Sequence, residues 1–370
     1  MTPAQAATAA VTGARRLRDL PALEHGALRD PADIDIDMPL TLSDLQAAAH
    51  TVHAVMPPTP QYRWPLLEAA FTVTPGDGSQ VWLKHENHTP VGAFKIRGGL
   101  VYFDRLMARV AAGESRPAGV VSATRGNHGQ SIAFAAARHG VPALIVVPHG
   151  NSREKNAAMC ALGAELVEAG DDFQAARGHA QALAAERGWQ MVPSFHPDLV
   201  AGVASYALEL FAAAPDLHTV YVPIGLGSGA CGLVAARDAL GLATRIVGVV
   251  STGAPAYALS LAAGRPLSHA VTTVLADGMA CSTPEPAALA MLQRGLHGVV
   301  QVSDGEVAAA MRQLFETTHQ VAEGAGAAAL AAAWQQRQAN AGQRVGLVLS
   351  GGNVDRDVYA QALAGAVFPA

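Results

Sequence analysis

Cysteine is scarce: 370 residues hold only Cys160, Cys231 and Cys281, far apart and without a C-x-x-C pair. That excludes a disulfide framework and a zinc site, and it places the chain in a reducing, cytoplasmic compartment. Charge is sparse too. Only 15% of residues are charged, and a formal net charge of −5 offers no basic field, so a nucleic-acid partner is not expected. No uninterrupted apolar run approaches membrane-spanning length, so no membrane partner is expected either. The N-terminal extension, residues 1–40, has no apolar h-region; it is read as an extension without chemistry rather than a secretory signal. What the chain does hold is apolar. Half its residues are hydrophobic, enough for a large core and, at this length, two domains.

Beyond residue 40, helical and strand-like segments alternate. LSDLQAAAHTVHAVM reads as a helix with Asp44 in its first turn, stopped by PPTP. Strand candidates are VWLKHE (81–86), GVVSAT (119–124), ALIVVP (143–148), AELVEA (164–169) and WQMVPS (189–194). TVYVPI (219–224), RIVGVV (245–250), VVQVS (299–303) and VGLVLS (345–350) follow. Continuous β-branched runs with Ala-rich helices between them indicate parallel sheet covered on both faces: an α/β protein of open, twisted, mostly parallel sheets. The organisation expected is a large domain from residues 41–97 and 196–370, interrupted by a small mobile domain, residues 98–195.

Ligands of such sheets bind beyond the carboxyl ends of strands, so the loops there matter most. The segment GAFKIRG sets Lys95 among Val91, Phe94 and Ile96. Apolar surroundings lower a lysine's pKa and free its amine to act as a nucleophile toward an aldehyde. SATRGNHGQ (122–130) exposes backbone N–H groups at a helix start and adds donors from Thr124, Asn127 and His128, a set suited to a carboxylate. GLGSGACG (225–232) lets several N–H groups converge on one anion. Gly225, Gly227 and Ala230 also satisfy the dinucleotide fingerprint, which makes an NAD-dependent oxidoreductase the competing class. The next strand, RIVGVV, ends without the acid that would hold a ribose, and a phosphate cup is the better reading. LSGGNVD (349–355) places the hydroxyl of Ser350 at a strand's end.

Together these four motifs resemble the pyridoxal-phosphate enzymes of fold type II, the tryptophan-synthase-β-like family, and most closely the serine/threonine dehydratase branch, over residues 55–355. The resemblance implies pyridoxal 5′-phosphate as cofactor, with Lys95 as the Schiff-base lysine and general base. It implies that Gly225, Leu226, Gly227, Ser228 and Gly229 hold the phosphate, that Asn127 bonds the ring hydroxyl and that Phe94 packs beside the ring. Ser350 would face the pyridine nitrogen, and the family's glutamate before Gly-x-Gly is Glu323, also assigned to the cofactor. The substrate would meet Thr124, Arg125, Gly126, Asn127, His128 and Ser282, with Phe173, Gln174, Ser194, Met279 and Cys281 as further neighbours.

The activity implied is loss of the β-hydroxyl and then ammonia from a β-hydroxy-α-amino acid, leaving a 2-oxo acid. The substrate class is serine or threonine, or a bulkier relative such as phenylserine. A 3-hydroxyaspartate dehydratase and a β-replacement synthase are the alternatives, and a homodimer is implied. Two departures stand out. Arg125 replaces the serine that racemases use as the opposite-face acid, which argues against racemisation because a guanidinium does not give up its proton near neutrality. Val250 occupies the position of an acid that binds a cation in racemase-like relatives, so no metal is expected. No regulatory domain is expected after LSGGNVD.

Overall fold

The structure, a computed structural model, describes residues 40–368, so the extension read at 1–40 lies outside the described residues except for Leu40. Among the described residues there are ten strands: β1 (Gln61–Arg63), β2 (Gln80–His85), β3 (Val120–Ala123), β4 (Ala143–Val147), β5 (Glu165–Glu168), β6 (Gln190–Met191), β7 (Thr219–Pro223), β8 (Arg245–Ser251), β9 (Gly298–Val302) and β10 (Arg344–Leu349). They form a six-stranded sheet, β1-β2-β10-β7-β8-β9, and a four-stranded sheet, β5-β4-β3-β6. Every pairing is parallel except β1 with β2, where Tyr62 lies opposite Leu83. The nine expected strands are all present with ends displaced by a residue or two, except that β6 stops at Met191, three residues short of the expected 189–194. β1 has no counterpart among them. Three residues with an exposed face, on the sheet's edge, carry too little pattern to announce a strand.

The alternation of side chains divides each sheet between two cores. On β7, Val220 and Val222 face a core built with helices Pro197–Ala213 and Ser228–Ala239, while Tyr221 turns to helix Gly324–Gln335 on the other face. That helix, GAGAAALAAAWQ, crosses β7, β8, β9 and β10. Alanine favours the helix, and its small side chain lets the axis lie close to the sheet. In the smaller sheet Val120, Ile145 and Val147 pack against Phe103 and Ile132, whereas Val121, Leu144 and Val146 meet Ala176, Ala180 and Ala184 of helix Phe173–Arg187. Burial of both faces explains why these strands read as continuous apolar runs.

The first helix, Leu42–His53, opens on a capping box in which Thr41 and Asp44 each bond the other's backbone N–H. It stops at His53, ahead of the Pro57-Pro58 pair rather than against it. Among the described residues no helix is long and apolar enough to cross a membrane.

Candidate active site

The loops leaving β2, β3, β7 and β10 open into one cleft, lined by Lys95, Thr124, Gly225 and Ser350 among others. All fifteen site residues named from the sequence line it: Phe94, Lys95, Thr124, Arg125, Gly126, Asn127, His128, Gly225, Leu226, Gly227, Ser228, Gly229, Ser282, Glu323 and Ser350. Of the further neighbours, Phe173, Gln174, Ser194 and Cys281 line it as well. Met279 does not. It is buried in the core beneath helix Gly324–Gln335 and is removed from the set.

The chain holds three lysines, Lys84, Lys95 and Lys155. Lys84, fully buried on β2, donates to Glu209, to the Thr59 carbonyl and to Gln61. Lys155 lies between two carboxylates, 2.7 Å from Asp277 and 3.0 Å from Glu323. Burial opposes its charge, but these two acids overcome that and raise its pKa well above the ordinary lysine value. Lys95 has no acid. As the first residue of helix Lys95–Ala111 it reaches Ser228 Oγ at 2.8 Å, with its Nζ 4.9 Å from the centre of the Phe94 ring. Desolvation lowers its pKa to about 8, opposed only weakly by Cys231. Of the three amines it alone is uncompensated.

The glycine cup sits at the start of helix Ser228–Ala239, whose first N–H groups point out of the helix. Gly227 holds the turn with φ at 102°, and a Cβ there would stand 2.8 Å from the Ala288 methyl group. If the cup carries the cofactor phosphate that the sequence resemblance implies, Gly227→Ala should weaken pyridoxal phosphate binding about tenfold, from roughly 1–2 kcal/mol of left-handed strain. Titration of apoenzyme followed by visible absorbance checks this; unchanged affinity would mean that the cup does not carry the phosphate.

Across the cleft, Gly126 makes a second turn that only glycine suits, with φ at 145° against the Lys155 chain. Thr124 Oγ1 accepts from the N–H groups of Gly126 (2.9 Å) and Gly129 (3.2 Å), which leaves its hydroxyl hydrogen free to donate. Asn127 donates to Glu323 at 2.6 Å and accepts from Asn353 at 2.9 Å. Burial raises the pKa of Glu323, against the pull of Lys155. Burial and then Lys95 depress His128 to about 3, so its imidazole is neutral near pH 7. Arg125 pairs with none of the described acids, and its Nε is buried without a partner. Among them no group of three His, Cys, Asp or Glu side chains is arranged to hold a metal, and Val250 is buried within β8.

Two participants escaped the sequence reading. Lys155 sits in a polar helix start, REKN, whose pattern says nothing of its crossing the cleft to Asp277 and Glu323. Asn353 stood inside a named motif without a role; its bond to Asn127 joins the ends of two loops 226 residues apart in sequence.

A phosphorylated aldehyde fits this donor set: a helix-start anion cup, an uncompensated amine beside it and neutral hydrogen-bonding groups around both. A profile of the pyridoxal-phosphate dependent enzyme family matches residues 57–351. The putative threonine dehydratase of Sinorhizobium fredii is 34% identical over 309 residues, 83% of this chain and 91% of that protein. The L-threonine ammonia-lyase of Thermotoga maritima is 32% identical over 317 residues, 85% of this chain and 76% of its own. Among solved structures, the processed form of threonine deaminase isoform 2 from Solanum lycopersicum superposes with a TM-score of 0.78 at 26% identity, covering 91% of this chain and 95% of that one. The chain belongs to the pyridoxal-phosphate dependent enzyme family and is a deaminating lyase of fold type II.

Proposed function

We propose that this lyase acts on β-hydroxy-α-amino acids of the serine/threonine type, releasing a 2-oxo acid and ammonia, and that Lys95 is its cofactor-bearing lysine and general base. The observation that carries the assignment is that, of three lysines, only Lys95 lies in the cleft without a carboxylate partner. Pyridoxal phosphate, when bound, supplies the electron sink that makes the substrate's α-proton acidic. The residues 225–229 and the N–H groups behind them would hold its phosphate, Asn127 its ring hydroxyl and Ser350 its pyridine nitrogen, with Phe94 beside the ring. A serine there would be a neutral partner, offering the nitrogen no carboxylate to hold a proton and so favouring expulsion of the β-hydroxyl over transamination.

The chain's own groups divide the remaining work. The N–H groups opening helix Asn127–Arg138, with the Thr124 hydroxyl, orient the substrate carboxylate. Lys95 Nζ, bonded in the cleft only to the Ser228 hydroxyl, would take the α-proton as general base. Ser282 and Arg125 also line the cleft and would meet the substrate's side chain. Glu323 acts through Asn127, which it holds in place. Residues 98–195 form the small mobile domain, tied across the cleft by Lys155 to Asp277 and Glu323. The holoenzyme should release 2-oxo acid and ammonia in equal amounts from L-serine or L-threonine. Products that retain nitrogen and require an added nucleophile would instead mark β-replacement.

The depressed pKa of Lys95 gives a test of cofactor uptake. Its folded value, about 8, lies below the ordinary 10.5, so the free amine is already present between those pH values and is lost as pH falls below 8. At pH 7.5 roughly a quarter of Lys95 would be free, against about a thousandth of an ordinary lysine. The rate at which apoenzyme and pyridoxal phosphate develop visible absorbance should rise with a midpoint near pH 8. A midpoint near that of free lysine would contradict the assignment.

A further inference from the structure

Among the described charged side chains of the cleft, Arg125 is the one whose chemistry the proposed function leaves unused. It stands on the loop between β3 and helix Asn127–Arg138, half-buried, with Nε sealed from water and without a hydrogen-bond partner. A guanidinium in such a place is costly unless an acceptor meets it. The acids of the cleft do not: Asp277 and Glu323 are both engaged by Lys155. The substrate's α-carboxylate does not require it either, because the N–H groups of Asn127 and His128 at the helix start and the Thr124 hydroxyl already serve that group. Arg125 is therefore a surplus cation facing the substrate, with a planar fork of donors matched to a carboxylate.

We propose that Arg125 is a specificity-determining residue that pairs with a second carboxylate, carried on the substrate's β-carbon, so that the site takes a β-hydroxy-α-amino dicarboxylic acid, 3-hydroxyaspartate being the smallest. This rests on the deaminating elimination described above and names its substrate class. The reaction balances without an oxidant. The α-proton and β-hydroxyl leave as water, the resulting enamine shifts to its imine, and water adds at Cα as ammonia departs, giving oxaloacetate. An aryl side chain lying over the guanidinium is the competing use of the same residue, and the test separates the two.

The holoenzyme and its Arg125→Ser and Arg125→Lys variants are assayed for 2-oxo acid release from L-threonine, phenylserine and both diastereomers of 3-hydroxyaspartate. Each is also titrated calorimetrically with succinate and with butyrate. In the wild type, 3-hydroxyaspartate should be the best substrate and succinate should bind about tenfold or more tighter than butyrate. Arg125→Ser should lose about ten- to a hundredfold on 3-hydroxyaspartate beyond any loss on threonine, the worth of one charge-assisted pair, and should erase the succinate preference. Arg125→Lys should restore part of both. A preference for phenylserine, an equal loss on all substrates, or equal binding of succinate and butyrate in the wild type would overturn the inference. If threonine is deaminated while 3-hydroxyaspartate is not and succinate shows no preference, the proposed function stands without it. If nothing in the panel is deaminated but succinate binds selectively through Arg125, the dicarboxylate assignment stands and the proposed reaction fails.

Discussion

Lys95→Ala is expected to lose the visible absorbance of the holoenzyme and to reduce turnover by about a thousandfold or more, since one substitution removes both the covalent anchor and the general base. No other amine can replace it. Lys84 is committed to Glu209, and Lys155 is held between Asp277 and Glu323. The fold should not suffer. Lys95 has a folded pKa below its unfolded one, so its ammonium opposes folding at neutral pH, and that penalty fades as pH rises from about 8 toward 10.5. The apo variant at pH 7 should consequently unfold at no lower urea concentration than the apo wild type. Retained turnover, or a variant that loses activity only by unfolding, would refute the role.

The second large effect is on stability. Arg97→Leu is expected to destabilise the protein by about 3–5 kcal/mol, the cost of leaving buried carboxylates uncompensated. Arg97 is fully buried, two residues beyond Lys95, and its guanidinium contacts Glu86 at 2.7 Å and Glu209 at 2.6 Å. With Lys84 the group balances two cations against two acids; removing Arg97 leaves a buried negative charge. Burial would raise the pKa of Glu209, but Arg97 and Lys84 prevail and bring it to about 2. A depressed carboxylate stabilises the fold above its ordinary pKa, 4.5, and that contribution is lost as pH falls toward 2. The gap between wild type and variant in urea unfolding should therefore narrow as pH is lowered through this window. A loss under about 1 kcal/mol, or a gap independent of pH, would mean the cluster is only loosely coupled.

Much of this architecture was legible in the chain because burial on both faces imposes continuous runs such as ALIVV and TVYVP, which need no partner to be read as strands. The cleft was legible for a related reason: its residues sit where strands end and glycines turn the backbone, as at Gly126 and Gly227. The strand β1 was not, being three residues on a sheet edge. Met279 was misplaced because a residue next to cleft-lining Gly278 can still point into the core. Lys155, Asn353 and the Arg97–Glu86–Glu209–Lys84 cluster were hidden for a deeper reason. Ion pairs joining residues 11 to 168 positions apart, and an amide hydrogen bond spanning 226, leave no periodic trace, and a buried lysine is spelled the same way as an exposed one.

The central claim is that Lys95 alone carries the cofactor. Borohydride reduction of the holoenzyme followed by peptide mass mapping tests it most directly, because the chain offers just three lysines. A phosphopyridoxyl adduct is expected on the peptide containing Lys95, with Lys84 and Lys155 unmodified. An adduct on Lys155 or Lys84, or a reduced protein without any adduct, would contradict it.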